Sequence, residues 1–171
     1  DASFLITNTQ SFPEYPKSPV VDNQGAFGGS GDDSFGFYGG RVIRTTDGNY
    51  LIALRSNSGI SGNKSIASFG NYDYWVVKYD RDYNILWQQV YGGSNSDIPT
   101  SVANTSDGGY IIAGHSISPI SGNKTIGTFG SATDYWIVKI DSALNFPSSI
   151  TYREISYVNE DLTSLEVFNN S

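Results

Sequence analysis

His115 is the single histidine of the sequence and the side chain best suited to general-base work, and it closes the apolar run "YIIAGH". A nucleophilic triad needs such a base beside both a nucleophile and an orienting acid, and no nucleophile-elbow motif accompanies this one. Cysteine is absent, so there is no thiol nucleophile, disulfide framework or thiolate metal site, and one histidine is too few for a histidine-built metal cluster. Carboxylates are the stronger class. Asp32, Asp33, Asp47, Asp73 and Asp97 could supply the paired acids of glycoside hydrolysis, yet most of them recur at equivalent places in two copies of one pattern, and a catalytic pair has no need of duplication. Residues 80–84, "DRDYN", carry oxygen side chains at alternate positions like the first half of a calcium loop, without its glycine or distal glutamate. An Asp/Asn turn explains both this segment and its counterpart "DSALN". The glycine-rich stretches "GAFGGSGDDSFGFYGG" and "YGGSNSD" lack a Lys-Ser or Lys-Thr phosphate clamp. The expectation is no catalytic residue, no metal site and no cofactor.

The duplicated pattern sets what must position these residues. "TDGNYLIA" at Thr46, "ISGNKS" at Ile60, "FG" at Phe69 and "DYWVVKYD" at Asp73 return as "SDGGYIIA" at Ser106, "ISGNKT" at Ile120, "FG" at Phe129 and "DYWIVKID" at Asp134. The offset is 60 residues, becoming 61 before the last motif. Upstream, "GGSGDD" at Gly28 answers "GGSNSD" at Gly92, with four extra residues in the first copy before Asp47. A weaker trace opens the chain, where "DASFLI" at Asp1 resembles "DGNYLI" at Asp47. The organisation expected is an N-terminal flank at 1–27 carrying a degenerate copy, repeat 1 at 28–91, repeat 2 at 92–141 and an acidic C-terminal flank at 142–171.

Each copy reads as strand. Branched and aromatic residues dominate short runs bounded by Asp-Gly signals, and no period near 3.6 appears. "VIRTTDGNYLIAL" and "SVANTSDGGYIIAGHS" are predicted hairpins with two-residue turns. A loop of about 18 residues follows, then the "DYW" strand, and in the first copy the turn "RDYN" leads into a fourth strand, "ILWQQVYGG". In the "DYW" strand Trp75, Val77 and Tyr79 should face one way and Tyr74, Val76 and Lys78 the other. Both faces are large, so both must be covered, as in sheets stacked like propeller blades. The fold expected is all-β: tandem four-stranded antiparallel sheets of β-propeller-blade type, a partial propeller or a segment of a larger one. Core packing accounts for the repeated "DYW", with Trp136 as a core residue.

The chain's 10 basic and 17 acidic residues give a net charge of -7, scattered except for the acidic end, which argues against nucleic acid or an anionic membrane as partner. No apolar run approaches the roughly 18 to 20 residues needed to span a bilayer, and methionine is absent, which suits a processed or trimmed chain. Asn63, Asn104, Asn123 and Asn169 lie in Asn-x-Ser/Thr sequons that matter only in a host that reads them. The two long loops should emerge on one side, which makes Asn63, Lys64, Asn123 and Lys124 the candidate ligand-binding residues. Ser and Asn closing the loops on their own backbone is the structural reading of the same residues.

The order of "GGS", "DGGYIIAG", a glycine-containing loop, "DYWIVKID" and the "NILW" of the first copy resembles propeller-type repeats in secreted and cell-surface proteins of Bacteroidota, many of them exported by type IX secretion. The match covers about residues 28–141. "DSA" at Asp141 also resembles a short O-glycosylation signal of that group. The second copy departs after Asp141, where "SALNFPSSITYREI" lacks the "ILWQQVYGGS" continuation. The resemblance implies an extracellular or cell-surface location and a non-catalytic module for scaffolding, adhesion or glycan contact. Its partners would be a glycan, another surface protein or neighbouring repeats of a larger chain. The alternative is an accessory or catalytic portion of a secreted hydrolase.

Overall fold

The computed structural model describes residues 24–36, 41–130 and 133–141; the opening "DASFLI", the acidic flank and the Asn169 sequon lie outside them. Every regular element described is a strand: β1 (Asp33–Ser34), β2 (Arg41–Arg44), β3 (Tyr50–Ser56), β4 (Asp73–Tyr79), β5 (Ile85–Tyr91), β6 (Asp97–Asn104), β7 (Tyr110–Ser116) and β8 (Asp134–Ile140). All ladders between them are antiparallel. β1 and β2 lie end to end along one edge of β3, followed by β4 and β5, and a second sheet runs β6-β7-β8.

The two sheets share one register plan. Asp33 pairs with Ser56 and Asp73 pairs with the same serine from the other side, while Asp97 and Asp134 flank Ser116. Where β6 crosses its partner with a small irregularity between Pro99 and Ser101, the first copy breaks into β1 and β2 between Ser34 and Arg41. Its four extra residues are absorbed at this break, so the shared register survives the insertion.

The hairpin turns differ from the two-residue type expected. Thr45 N–H donates to Asn49 O at 2.8 Å and Gly48 N–H to Thr45 O at 3.0 Å, and the second copy repeats both bonds at 3.0 Å. Only the glycines take left-handed angles, with φ of +85° at Gly48 and +79° at Gly108. These are three-residue loops ending in a glycine bulge. Asp47 keeps an ordinary backbone and uses its carboxylate to accept from Thr45 Oγ1, from the Asn49 N–H at 3.3 Å and from Lys78 Nζ at 2.5 Å.

Both faces of β4 are covered. Tyr74 and Val76, with Leu51 and Ala53, pack against Val102, Tyr110, Ile112, Trp136 and Val138 of the second sheet. On the opposite face Trp75 and Val77 pack with Leu54 and Val90 under Phe27 and Ile66. The sheets are therefore stacked face to face. The first sheet's other face is covered in part by the Phe27 segment and by its own long loop.

Candidate functional site

The polar residues richest in chemistry converge where each long loop returns over the start of its own repeat. In the first copy Asp33 Oδ2 accepts from Gly29 N–H at 2.7 Å and from Ser58 Oγ at 2.7 Å, and Ser58 Oγ accepts from Gly31 N–H at 2.8 Å. Asn63 accepts from Gly28 N–H at 2.9 Å, donates through Nδ2 to Ala26 O at 2.7 Å, and its own N–H reaches Gly28 O at 3.1 Å. The second copy repeats the set. Asp97 accepts from Gly93 N–H and Ser118 Oγ at 2.8 and 2.7 Å, and Asn123 bonds Gly92 N–H and Val90 O at 3.0 and 2.7 Å. Ser61 and Ser121 accept from the Ser30 and Ser94 N–H groups, each at 2.8 Å. Gly62 and Gly122, with φ of +59° and +58°, make the tight turns that aim these side chains inward.

Lys64 and Lys124 complete the closure from within, with only 1% and 4% of their surface exposed. Lys64 Nζ donates to Ser58 O at 2.6 Å and to Ser68 Oγ at 2.9 Å, and Lys124 Nζ donates to Ser118 O at 3.0 Å and Ile126 O at 2.6 Å. Each ammonium stands over an indole, 5.8 Å from the Trp75 ring and 5.5 Å from the Trp136 ring. Burial lowers the pKa of both lysines, and nearby carboxylates oppose the shift: Asp33 and Asp73 for Lys64, Asp97 and Asp134 for Lys124. A lysine of lowered pKa beside a serine is the arrangement of a Ser-Lys nucleophile. Here the proton flow is reversed: the lysine donates to Ser68 Oγ, and the Ser68 hydroxyl donates to Ser56 O at 2.7 Å. The Ser68 hydroxyl is therefore not poised to attack.

Asp73 is a strongly perturbed acid. Burial pushes its carboxyl up to about 7; the amides of Phe69 and Gly70 pull it down, Asp97 pushes it further up and Lys64 pulls it down. Its Oδ2 accepts from the Phe69 and Gly70 N–H groups at 2.5 and 3.2 Å, whereas Oδ1 has no hydrogen-bond partner and lies against Gly92. A buried acid near pH 7 is a familiar mark of general acid–base sites. This one is fully covered and stands where the two sheets meet, so substrate has no route to it.

The other residues of interest sit apart. His115 is half-buried on β7 at the position of Arg55, which pairs with Asp32 at 2.8 Å and lies 4.5 Å over the Tyr72 ring. Asp80 spends both carboxylate oxygens inside its own turn, on the N–H groups of Asp82 and Asn84 and on Asn84 Nδ2, each at 2.9 Å. Asn84 lowers the Asp80 pKa by those bonds, and Tyr83 takes the left-handed angle, φ +64°, that the turn requires. Among the described residues no three His, Cys, Asp or Glu side chains converge as a metal site requires. No described helix is long and apolar enough to cross a membrane.

Asp33, Asp73 and Asp97 are three of the five acids whose repetition favours a structural role. They sit at strand ends, as anchors for returning loops. The repeat held the signal: Ser58 and Ser118, like Asp33 and Asp97, are identical across copies, with the Asp-to-Ser spacing of 25 residues in the first copy and 21 in the second differing by the four-residue insertion. Comparison with protein-family models gives no match for this chain, and comparison with curated proteins gives none.

Proposed function

We propose that the chain is a non-catalytic repeat module of an exported, extracellular or cell-surface protein, working as a scaffold or adhesive surface that contacts a glycan or another surface protein. The observation that carries this reading is the duplicated consumption of polar chemistry. Most hydrogen-bonding atoms of the Asp, Ser, Asn and Lys groups that could act on a substrate are spent, in both copies alike, on closing loops, and the second oxygens of Asp33, Asp73 and Asp97 are buried away from solvent. What those loops offer outward is apolar and also duplicated, since Ile60 and Ile120 stand 72% and 68% exposed at equivalent places. The Phe69 side chain lies against Gly122, so the two loops are neighbours on one side. The resemblance of the motif order to secreted Bacteroidota repeats supports the location and a type IX export route.

The contact elements proposed are the two loops carrying Asn63, Lys64, Asn123 and Lys124, engaged through their exposed tips. Replacing those four side chains would open the loops, so loss of binding there would not separate contact from folding. Glycan-array binding should instead compare wild type with Ile60→Ser/Ile120→Ser, which alters only exposed surface. Two linked weak sites gain by avidity, so the double variant is expected to lose at least tenfold in signal while each single variant loses less. Equal binding by wild type and double variant would remove these loops from the contact surface. Turnover of any retained glycan would replace the module by a hydrolase.

A further inference from the structure

Two Asp-Gly steps, Asp47-Gly48 and Asp107-Gly108, sit at the tips of the hairpins that join β2 to β3 and β6 to β7. Asp-Gly is a dipeptide prone to rearrange, because glycine puts no side chain in the way of its own nitrogen. That nitrogen attacks the aspartate carboxyl carbon: a C–N bond forms, a C–O bond breaks, and one water leaves with the amide proton. The product is a five-membered succinimide. Water then opens the ring, and opening at the backbone carbonyl leaves isoaspartate, whose main chain runs through the former side chain and is one carbon longer. The water lost is regained and nothing is oxidised or reduced. An extra backbone atom in a three-residue loop would disturb the pairing that the loop sets, since turn geometry fixes hairpin register.

The rearrangement needs a protonated carboxyl, so that oxygen departs as water, a carboxyl free to turn, and a glycine nitrogen free to approach it. Both turns work against each requirement. Asp47 Oδ2 accepts from Lys78 Nζ at 2.5 Å, while Oδ1 accepts from Thr45 Oγ1 and from the Asn49 N–H at 3.3 Å. Asp107 repeats the set, with Lys139 Nζ at 2.6 Å on Oδ2 and with Thr105 Oγ1 and the Gly109 N–H, at 3.1 Å, on Oδ1. The Gly48 and Gly108 N–H groups are themselves spent on the Thr45 and Thr105 carbonyls, each at 3.0 Å. Lys78 and then Thr45 hold the Asp47 carboxyl below the usual carboxylate range, and Lys139 and then Thr105 do the same for Asp107.

The threonine and backbone contacts are local to each turn, but the lysines are imported. They come from β4 and β8, 31 and 32 residues along the chain. An ion pair whose acid is half exposed contributes little to stability, so stability alone is a weak reason for placing the same pair twice. Asp80 offers the contrast: its next residue is Arg81, and its carboxylate is held by Asp82 and Asn84 of its own turn. Arg44 also approaches the first turn, with Nη2 3.9 Å from where a Gly48 side chain would begin, and Lys78 Nζ stands 5.7 Å over the Tyr110 ring.

We infer that Lys78 and Lys139 guard the two Asp-Gly bonds, pinning each carboxylate away from the glycine nitrogen, and that residues 47 and 107 become sites of isoaspartate formation once the lysine is removed. The lysines act as positioning residues on a bond they do not touch. The inference is independent of what the module binds.

The experiment keeps the whole chain and follows isoaspartate at residues 47 and 107 separately by peptide mapping, at about pH 5.5, more than a unit above the ordinary aspartate pKa of about 3.9. Wild type should convert at both sites at least about tenfold more slowly than the free peptide "TSDGGYIIA", since each unit by which a carboxyl pKa falls removes about tenfold of its protonated form. Lys139→Met keeps the stem and drops the charge. It should speed residue 107 at least about threefold and leave residue 47 at the wild-type rate, Lys78→Met should do the reverse, and Lys139→Arg should restore protection. The ratio of Lys139→Met to wild-type rates should also shrink below about pH 4, where the variant carboxyl is already protonated, whereas a merely loosened turn gives a ratio that ignores pH. Circular dichroism checks each variant, and the two sites are independent trials should one variant fail to fold. A folded Lys139→Met or Lys78→Met chain that converts its own site at the wild-type rate overturns the inference, as do equal acceleration at both sites and a ratio that is constant with pH.

Discussion

A lysine held under a loop and over an indole reverses what its residue type announces. Lys64 and Lys124 stand among the candidate ligand contacts because the two long loops that carry them should emerge on one side. Burial, two close acceptors and an aromatic face turn the same side chain into an internal strut. The tryptophans were legible because a residue repeated on a two-faced apolar strand has few other uses. Trp136→Ala should cost about 3 to 5 kcal/mol, the range for deleting a large buried aromatic, and denaturant titration would show it; a change below about 1 kcal/mol would place Trp136 outside the core. The Asp73 carboxyl carries a second prediction. Its folded pKa, about 7, lies above the unfolded value, so the native state holds more protons and stability falls as pH rises. The contribution is fully present below about pH 4 and lost by about pH 7, and Asp73→Asn should flatten the unfolding midpoint across that window. Asp47 and Asp107 act oppositely, since hydrogen bonds from Lys78 and Lys139 hold them below the usual carboxylate range. Their stabilisation is present above about pH 4 and is lost only in stronger acid, outside the Asp73 window.

At the scale of elements, strands and loops were readable and their joints were not. Alternation and branched residues identified the hairpins and the "DYW" strands, because those patterns follow directly from burying one or both faces of a sheet. The turn type escaped because Asp-Gly serves a two-residue turn and the last two places of a three-residue loop equally well; only backbone angles separate them. The four extra residues of the first copy were visible as length, yet nothing in "FGFYGG" says that a strand would break rather than a loop lengthen. The turn gives a test: Gly48→Ala forces a Cβ into the left-handed region at φ +85° and should destabilise by about 1 to 2 kcal/mol. Thr46→Ala in the same turn, exposed and with an ordinary backbone angle, should change the midpoint by less than about 0.5 kcal/mol.

At the scale of the whole molecule, the described residues form two sheets whose contact is as specific as either sheet alone. Tyr74, Val76, Trp136 and Val138 belong to one cluster, and the hydrogen bonds from Asn71 and Asp97 bind the repeats along their edges. Nearest-neighbour coupling of this kind makes repeats unfold together when the interface term is large. Fluorescence and circular dichroism should therefore report one coincident transition. Tyr74→Phe, which strips the bond to the Trp136 carbonyl, should lower stability by about 1 kcal/mol and separate the two probes if the coupling is weakened past that of the sheets themselves.

Burying a cation in each long loop also decides how the chain meets a protease. Trypsin cuts after lysine and arginine, and extended exposed loops are its ordinary targets. Here the two longest loops hide theirs: Lys64 and Lys124 are enclosed by the backbone that would have to enter the enzyme's cleft. Arg81 is different, since it stands exposed in the short turn between β4 and β5. Among the described residues, limited digestion of the folded chain should nick first after Arg81 and spare both loops.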